Sequence, residues 1–147
     1  MSRRTSIVNA LVAKFNEAIT GTAPYKTNIA NNCFGKLRFW DEVTDFPSVF
    51  ITPGSEMREY LPSDFTWGYL GLSVKIYVRG EEPQIELEAL LEDVERCVDA
   101  NRVLVYDELG SETTEILITS ITTDEGLLAP YGVGEVNLQV RYALSPI

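Results

Sequence analysis

A strict two-residue alternation, present twice, narrows the fold more than any other feature of this chain. In "FTWGYLGLSVKIYVRG", Leu70, Leu72, Val74, Ile76 and Val78 fall on one side of an extended backbone, and Tyr69, Ser73, Lys75, Tyr77 and Arg79 on the other. "EVNLQVRYAL" repeats the pattern, setting Val136, Leu138, Val140, Tyr142 and Leu144 against Glu135, Asn137, Gln139 and Arg141. Successive side chains of a strand point to opposite faces. Both segments therefore predict a sheet with one apolar, covered face and one wetter or differently paired face.

Two stretches with helical spacing supply the cover. A helix is predicted over 5–19, with Ile7, Val8, Leu11, Val12, Phe15 and Ile19 on one stripe and Gly21 as its stop signal. A second spans 83–100, with Pro83 in the first turn and Leu87, Leu90, Leu91, Val94, Cys97 and Val98 as its buried stripe. Its acids Glu81, Glu82, Glu86, Glu88, Glu92, Asp93, Glu95 and Asp99 face outward in this reading, offset only by Arg96. Each helix has a single apolar stripe, so both can cover the same side of one sheet.

The remaining strands are shorter. "SVFITPG" reads as a strand ending in a Pro-Gly turn, and "SEMREYLP" as its hairpin partner, with Met57 and Tyr60 near the core or an interface. "RVLVYD" is a short strand and "TTEILITSITTDEG" a longer one. The glycines of "YGVGEV" lack a phosphate-binding pattern and are read as allowing positive φ before the last strand. The order α–loop–β–β–β–α–β–β–β predicts an α+β domain over 1–147: a mixed, largely antiparallel β-sheet with two α-helices packed on one face.

Two segments are too apolar for idle connections. Residues 21–46 show no steady periodicity but contain Phe34, Phe39, Trp40 and Phe46, with 36–40 read as a short strand. A loop this long is often functional or ordered by a partner. Residues between Glu125 and Glu135 are mostly Leu, Ala, Pro, Tyr and Val. Two readings stay open for Leu127, Leu128, Tyr131 and Val133: they cap the domain's own core, or they fill a pocket on a neighbouring subunit.

Charge separates along the chain. Residues 1–40 hold Arg3, Arg4, Lys14, Lys26, Lys36 and Arg38 against Glu17 alone, a net of +5, so the rest carries −15 of the total −10. Such a chain can bind copies of itself head to tail, or simply face solvent with both parts. An acidic balance argues against a duplex-DNA footprint. With no histidine, and no nucleophile elbow, phosphate loop, zinc spacing or EF-hand loop, an enzyme is not expected. Asp41, Glu42 and Asp45 are loop carboxylates without a partner base, and no cofactor or metal is implied. Cys33 and Cys97 make no disulfide framework, and Cys97 sits on an apolar helix face. Asn9, Lys14, Asn16 and Glu17 break up the N-terminal apolar stretch, no run is long enough to span a membrane, and cytoplasmic synthesis is the expectation.

At "ITSITTDEGLLAPYGVGEVNLQVRYAL" the chain resembles the tail-terminator proteins of long, non-contractile bacteriophage tails. The acidic helix "IELEALLEDVERCVDA", the segment "SVFITPGSEMREYLP" before the long strand, and a helix near the N-terminus agree with that resemblance. It implies a hexameric ring that caps the tail tube, stops its growth and offers a surface for head joining. Its partners would be copies of itself, the tail tube protein and a head-completion protein, with DNA as non-specific cargo and no membrane. The location would be the virion tail after assembly in the host cytoplasm. Candidate contact residues are Lys36, Arg38, Phe39, Trp40, Phe46, Leu127, Leu128, Tyr131 and Val133. Glu86, Glu88, Glu92, Asp93, Glu95 and Asp99 are candidates for an acidic lumen or a solvent face. Another neck or tube component, or a small cytoplasmic binding module for a peptide or ligand, remains an alternative.

Overall fold

A computed structural model describes residues 1–144. Helix α1 (Arg3–Ala18) is followed by strand β1 (Cys33–Phe34), a 3-10 turn at Trp40–Glu42, strands β2 (Ser48–Leu61) and β3 (Phe65–Arg79), helix α2 (Pro83–Ala100), and strands β4 (Thr113–Thr123) and β5 (Tyr131–Leu144). The strands form one sheet in the order β1-β2-β3-β5-β4, parallel only between β1 and β2. The α+β expectation is met. Both helices lie on the same face, where their stripes share one core cluster with Val49, Ile51, the inward residues of β3 and those of β5.

Local chemistry explains the helix ends. The Ser2 hydroxyl accepts from the Thr5 amide (3.1 Å), capping α1, and Pro83 occupies the first turn of α2, where its missing N–H costs nothing. Ile7, Leu11, Phe15 and Ile19 are fully buried under α1, as are Leu87, Val94, Cys97 and Val98 under α2.

Asp93 corrects the outward reading of the acidic helix face. It is completely buried, and its carboxylate accepts from the Lys26 amide (3.0 Å), the Thr27 amide (2.7 Å) and the Thr27 hydroxyl (2.5 Å). A buried charge survives when its lone pairs are satisfied this way. The interaction ties the start of the 21–46 segment to α2. Further along, the Asn16 side chain brackets Cys33, donating to its carbonyl and accepting from its amide at 3.1 Å each, while Ile29 enters the core.

Three strand assignments change. Pro53-Gly54 is a bulge within one continuous strand, because both halves of β2 find partners along the 15-residue β3. The real reversal lies at Pro62–Asp64, where Ser63 (φ 70) and Asp64 (φ 60) adopt left-handed turn geometry. Residues 36–40 are not a strand, and the short parallel pairing falls at Cys33–Phe34. Nor is "RVLVYD": only Val105 makes an isolated bridge, to Glu112, because the segment folds back on its own loop. There Asp107 accepts from the amides of Leu109 (3.0 Å) and Ser111 (2.8 Å).

Beyond the bulge, the second half of β2 forms the edge of the sheet, and Met57 and Tyr60 on it are about three-quarters exposed. An ionic node anchors this edge. Glu56 accepts from Tyr142 Oη (2.5 Å) and Arg58 Nε (2.8 Å), and the Arg4 guanidinium donates to the Gly54 carbonyl. Burial opposes ionisation of Glu56, but the hydrogen bonds from Tyr142 and Arg58 outweigh it and hold the carboxyl below its ordinary value.

The glycines of "YGVGEV" have a different purpose from the one expected. Gly132 and Gly134 lie inside β5, and the positive φ belongs to Gly126 (φ 86). A Cβ on Gly132 would stand 2.7 Å from Val78 Cγ2 and 3.0 Å from the Pro83 carbonyl oxygen; one on Gly134 would meet Leu87 Cδ1 at 3.1 Å. Missing side chains let α2 settle close to the sheet.

Gly132→Ala should therefore lower unfolding stability by roughly 1–3 kcal/mol, the usual cost of overpacking, exceeding the ~0.4–1 kcal/mol gained from a stiffer unfolded chain. An unchanged urea midpoint would contradict close packing at this point. The second expectation concerns acid. A depressed folded pKa stabilises above the unfolded value and loses that contribution as pH falls through the folded one. Glu56→Gln should thus be less stable than wild type at pH 7, with the gap closing below the ordinary carboxylate pKa of about 4.3. A gap that is constant or widens on acidification would rule out an ionised Glu56 as the anchor of this edge.

Candidate functional site

With both helices on one side, the opposite face of the sheet has no helical layer. Its residues come from the second set of each alternating strand: Phe50 on β2, Lys75 and Tyr77 on β3, and Tyr131, Val133 and Glu135 on β5. The chain covers one end of this face with its own residues 34–46. Phe34 stacks on Phe50 (centroids 5.6 Å apart), and Phe50 meets Tyr77 (5.8 Å). Trp40 and Phe46 both contact Tyr131, at 5.3 and 5.7 Å, and the Arg79 guanidinium lies 5.3 Å from the Tyr131 ring centre. Tyr77 Oη donates to the Arg38 carbonyl (2.5 Å). Burial, then the charges of Glu135, Glu42 and Asp41, push this phenol up to about 12, so it remains a donor at neutral pH.

Several residues singled out in the sequence thus meet. Trp40, Phe46 and Tyr131 form one aromatic cluster. Phe39, 58% exposed, joins Trp40, Val133, Lys75, Tyr77 and Glu135 around an open cavity of about 300 Å³. On its floor Glu135 accepts from Lys75 Nζ (2.8 Å) and Ser73 Oγ (2.6 Å), and these bonds lower its carboxyl pKa. Lys36 and Arg38 stand exposed at a separate cavity of about 180 Å³, bounded by Phe34, Phe50, Ser48, Glu42 and Asp45. The Lys36 ammonium lies 5.1 Å from the centre of the Phe34 ring.

The apolar β4–β5 turn divides between its two readings. Leu128, Tyr131 and Val133 are half-buried against their own chain, while Leu127 is 85% exposed. Asp124 gives the turn its shape. It accepts from the amides of Leu128 (3.0 Å) and Val133 (3.2 Å) and from Gln84 Nε2 (3.1 Å). Burial pushes the Asp124 carboxyl up, but these bonds win and lower it. Sequence reasoning passed over this residue, although an aspartate two places before a glycine is a turn signal.

The acidic helix face is a separate surface. Glu86, Glu88, Glu92 and Asp99 are exposed and Glu95 is half-exposed; Asp93 is the inward exception. Glu92 pairs with Lys26 (3.2 Å) and Arg96 (3.4 Å), and Asp99 with Arg102 (3.6 Å). Lys26, counted in the sequence among the basic N-terminal charges, is therefore engaged within its own subunit. Such exposed pairs add at most about 1 kcal/mol each.

Among the described residues there is no cluster of three or more His, Cys, Asp or Glu side chains able to hold a metal, and no helix is long and apolar enough to cross a membrane. Cys33 and Cys97 are free and buried, and desolvation pushes their thiols up to about 12 and about 11. A thiol so placed is a small core residue and a poor nucleophile.

Comparison with known proteins fits a molecule made of surfaces. A solved structure from the virion of a native gene transfer agent particle matches with a TM-score of 0.64 at 8% identity, covering 98% of this chain and 100% of that one, a likeness of fold. The tail tube terminator protein p142 of Escherichia phage T5 is 36% identical over 152 residues, which span 97% of this chain and 94% of that protein. The family model for the bacteriophage tail tube terminator protein matches residues 1–146. From end to end, then, this chain belongs to the bacteriophage tail tube terminator family, as the resemblance in its C-terminal strands implied.

Proposed function

We propose that the protein assembles into a ring, hexameric as the family resemblance implies, that caps the tail tube at full length, blocks further subunit addition and offers a surface for joining the head. The observation that carries this reading is the match to the T5 tail tube terminator, 36% identical over 97% of this chain and 94% of that protein. A ring of identical subunits needs two different patches that meet repeatedly. Exposed Phe39 beside the uncovered sheet face, Met57 and Tyr60 on the edge half of β2, and Leu127 in the β4–β5 turn are apolar side chains of the kind such contacts use.

Partners in this reading are copies of the chain, the tail tube protein and a head-completion protein, in a virion tail assembled in the host cytoplasm. DNA passes as cargo. Glu86, Glu88, Glu92, Glu95 and Asp99 suit a lumen, because acidic walls repel phosphates and give DNA no electrostatic hold. The chemistry here is one of contact, and the protein is assigned no reaction.

The test is tube growth. Purified protein added to polymerising tail tube protein should arrest elongation at sub-stoichiometric ratios, leaving shorter tubes with one end closed in negative-stain images. Tubes that grow to the same length distribution with and without the protein would reject termination as its function.

A further inference from the structure

We propose that the β4–β5 turn of one copy, residues 125–130, plugs the cavity between β2 and residues 36–45 of the next copy, with Leu127 as the anchor. The inference rests on the ring reading and specifies its lateral contact.

The socket has features of a built site. Phe34 and Phe50 form an apolar wall, Lys36 and Arg38 stand on the rim, and the cavity measures about 180 Å³. A cavity on the order of 150 Å³ accommodates a benzene-sized guest, so one aliphatic side chain fits. Ser48 lines this cavity, is 1% exposed, and its hydroxyl has no hydrogen-bond partner. Buried polar atoms are seldom left in that state, so the occupant must bring a backbone polar group of the turn as well as the Leu127 side chain.

The turn matches it in shape and charge. Leu127 projects at 85% exposure from a backbone fixed by Asp124, so little order has to be gained on docking. Beside it stands the exposed Glu125, and residues 124–130 contain no cation. The rim carries both signs, since Glu42 and Asp45 line the same cavity as Lys36 and Arg38. An acid-only plug selects the cationic side, placing the Glu125 carboxylate near Lys36 and Arg38.

The 85% exposure of Leu127 shows that it does not fill the socket of its own chain, which leaves a second copy as the donor of the plug. The β2 wall of the socket and the strands of the turn lie on either side of β3, while residues 36–45 cross the face between them and bring Trp40 against Tyr131. Ser48 pairs with Tyr77, Tyr77 with Val133, and the Asp124 amide donates to the Val133 carbonyl (2.9 Å), so one line across the sheet joins the socket to the root of the turn. The contact joins two different patches, and a heterologous contact of this kind closes a ring when its rotation closes.

Cysteine pairs test the contact, because both native thiols are buried. Leu127→Cys protein mixed with Lys36→Cys protein under mild oxidation, alone and on purified tail tubes lacking this chain, should give a disulfide-linked dimer. A chain carrying both changes should give a ladder of oligomers. Glu125→Lys should weaken ring formation about tenfold by native mass measurement, and adding Lys36→Glu should restore it. Rings that form without the cross-link, and that tolerate Leu127→Asp, would overturn the plug while leaving the ring intact. Wild-type protein that forms no ring in solution or on tubes would overturn both.

Discussion

Close packing of α2 on β5 governs the rest of the molecule. Gly132 and Gly134 remove two side chains where Pro83 and Leu87 approach, and the helix drops onto the sheet beside Val78. With α1 seated on the neighbouring strands, all helical cover is spent on one face. The other face must be closed by something else. Residues 34–46 close one end of it through aromatic contacts, and the remainder, with the edge half of β2, stays open. A fold covered on one side suits a protein whose work is done by contact.

Much of this was legible in the chain. Alternation in β3 and β5 and the stripes of both helices identified the core face residue by residue, because burial on one side imposes a period that composition alone cannot disguise. What escaped notice depended on long-range partners. Pro53-Gly54 has the chemistry of a turn, and only the length of β3 keeps that chain extended through a bulge. Asp93 shares a helix with five other acids, and nothing local marks it as the one that meets Lys26 and Thr27, more than sixty positions away. Gly132 and Gly134 reveal their purpose only when α2 is in place. Of the candidate surface, the aromatic residues and Leu127 were visible as apolar side chains in segments without periodicity, whereas Ser48 and Asp124 became informative only through their surroundings.

Charge has a subtler distribution than the +5 and −15 division suggests. Lys26 is absorbed by Glu92, and Arg4 binds the Gly54 carbonyl at the β2 bulge. Lys36 and Arg38 remain exposed beside an aromatic wall, and the β4–β5 turn carries acid only. In the proposed ring it is this local complementarity, more than global polarity, that would orient one copy on the next.

Cryo-electron microscopy of tails carrying this protein would test the central claim most directly. The account predicts a single ring of this chain at one end of the tube, each copy turning its β4–β5 flank to the β1–β2 flank of the next. Copies distributed along the tube, or a terminal ring whose subunits touch through their helical faces, would contradict it.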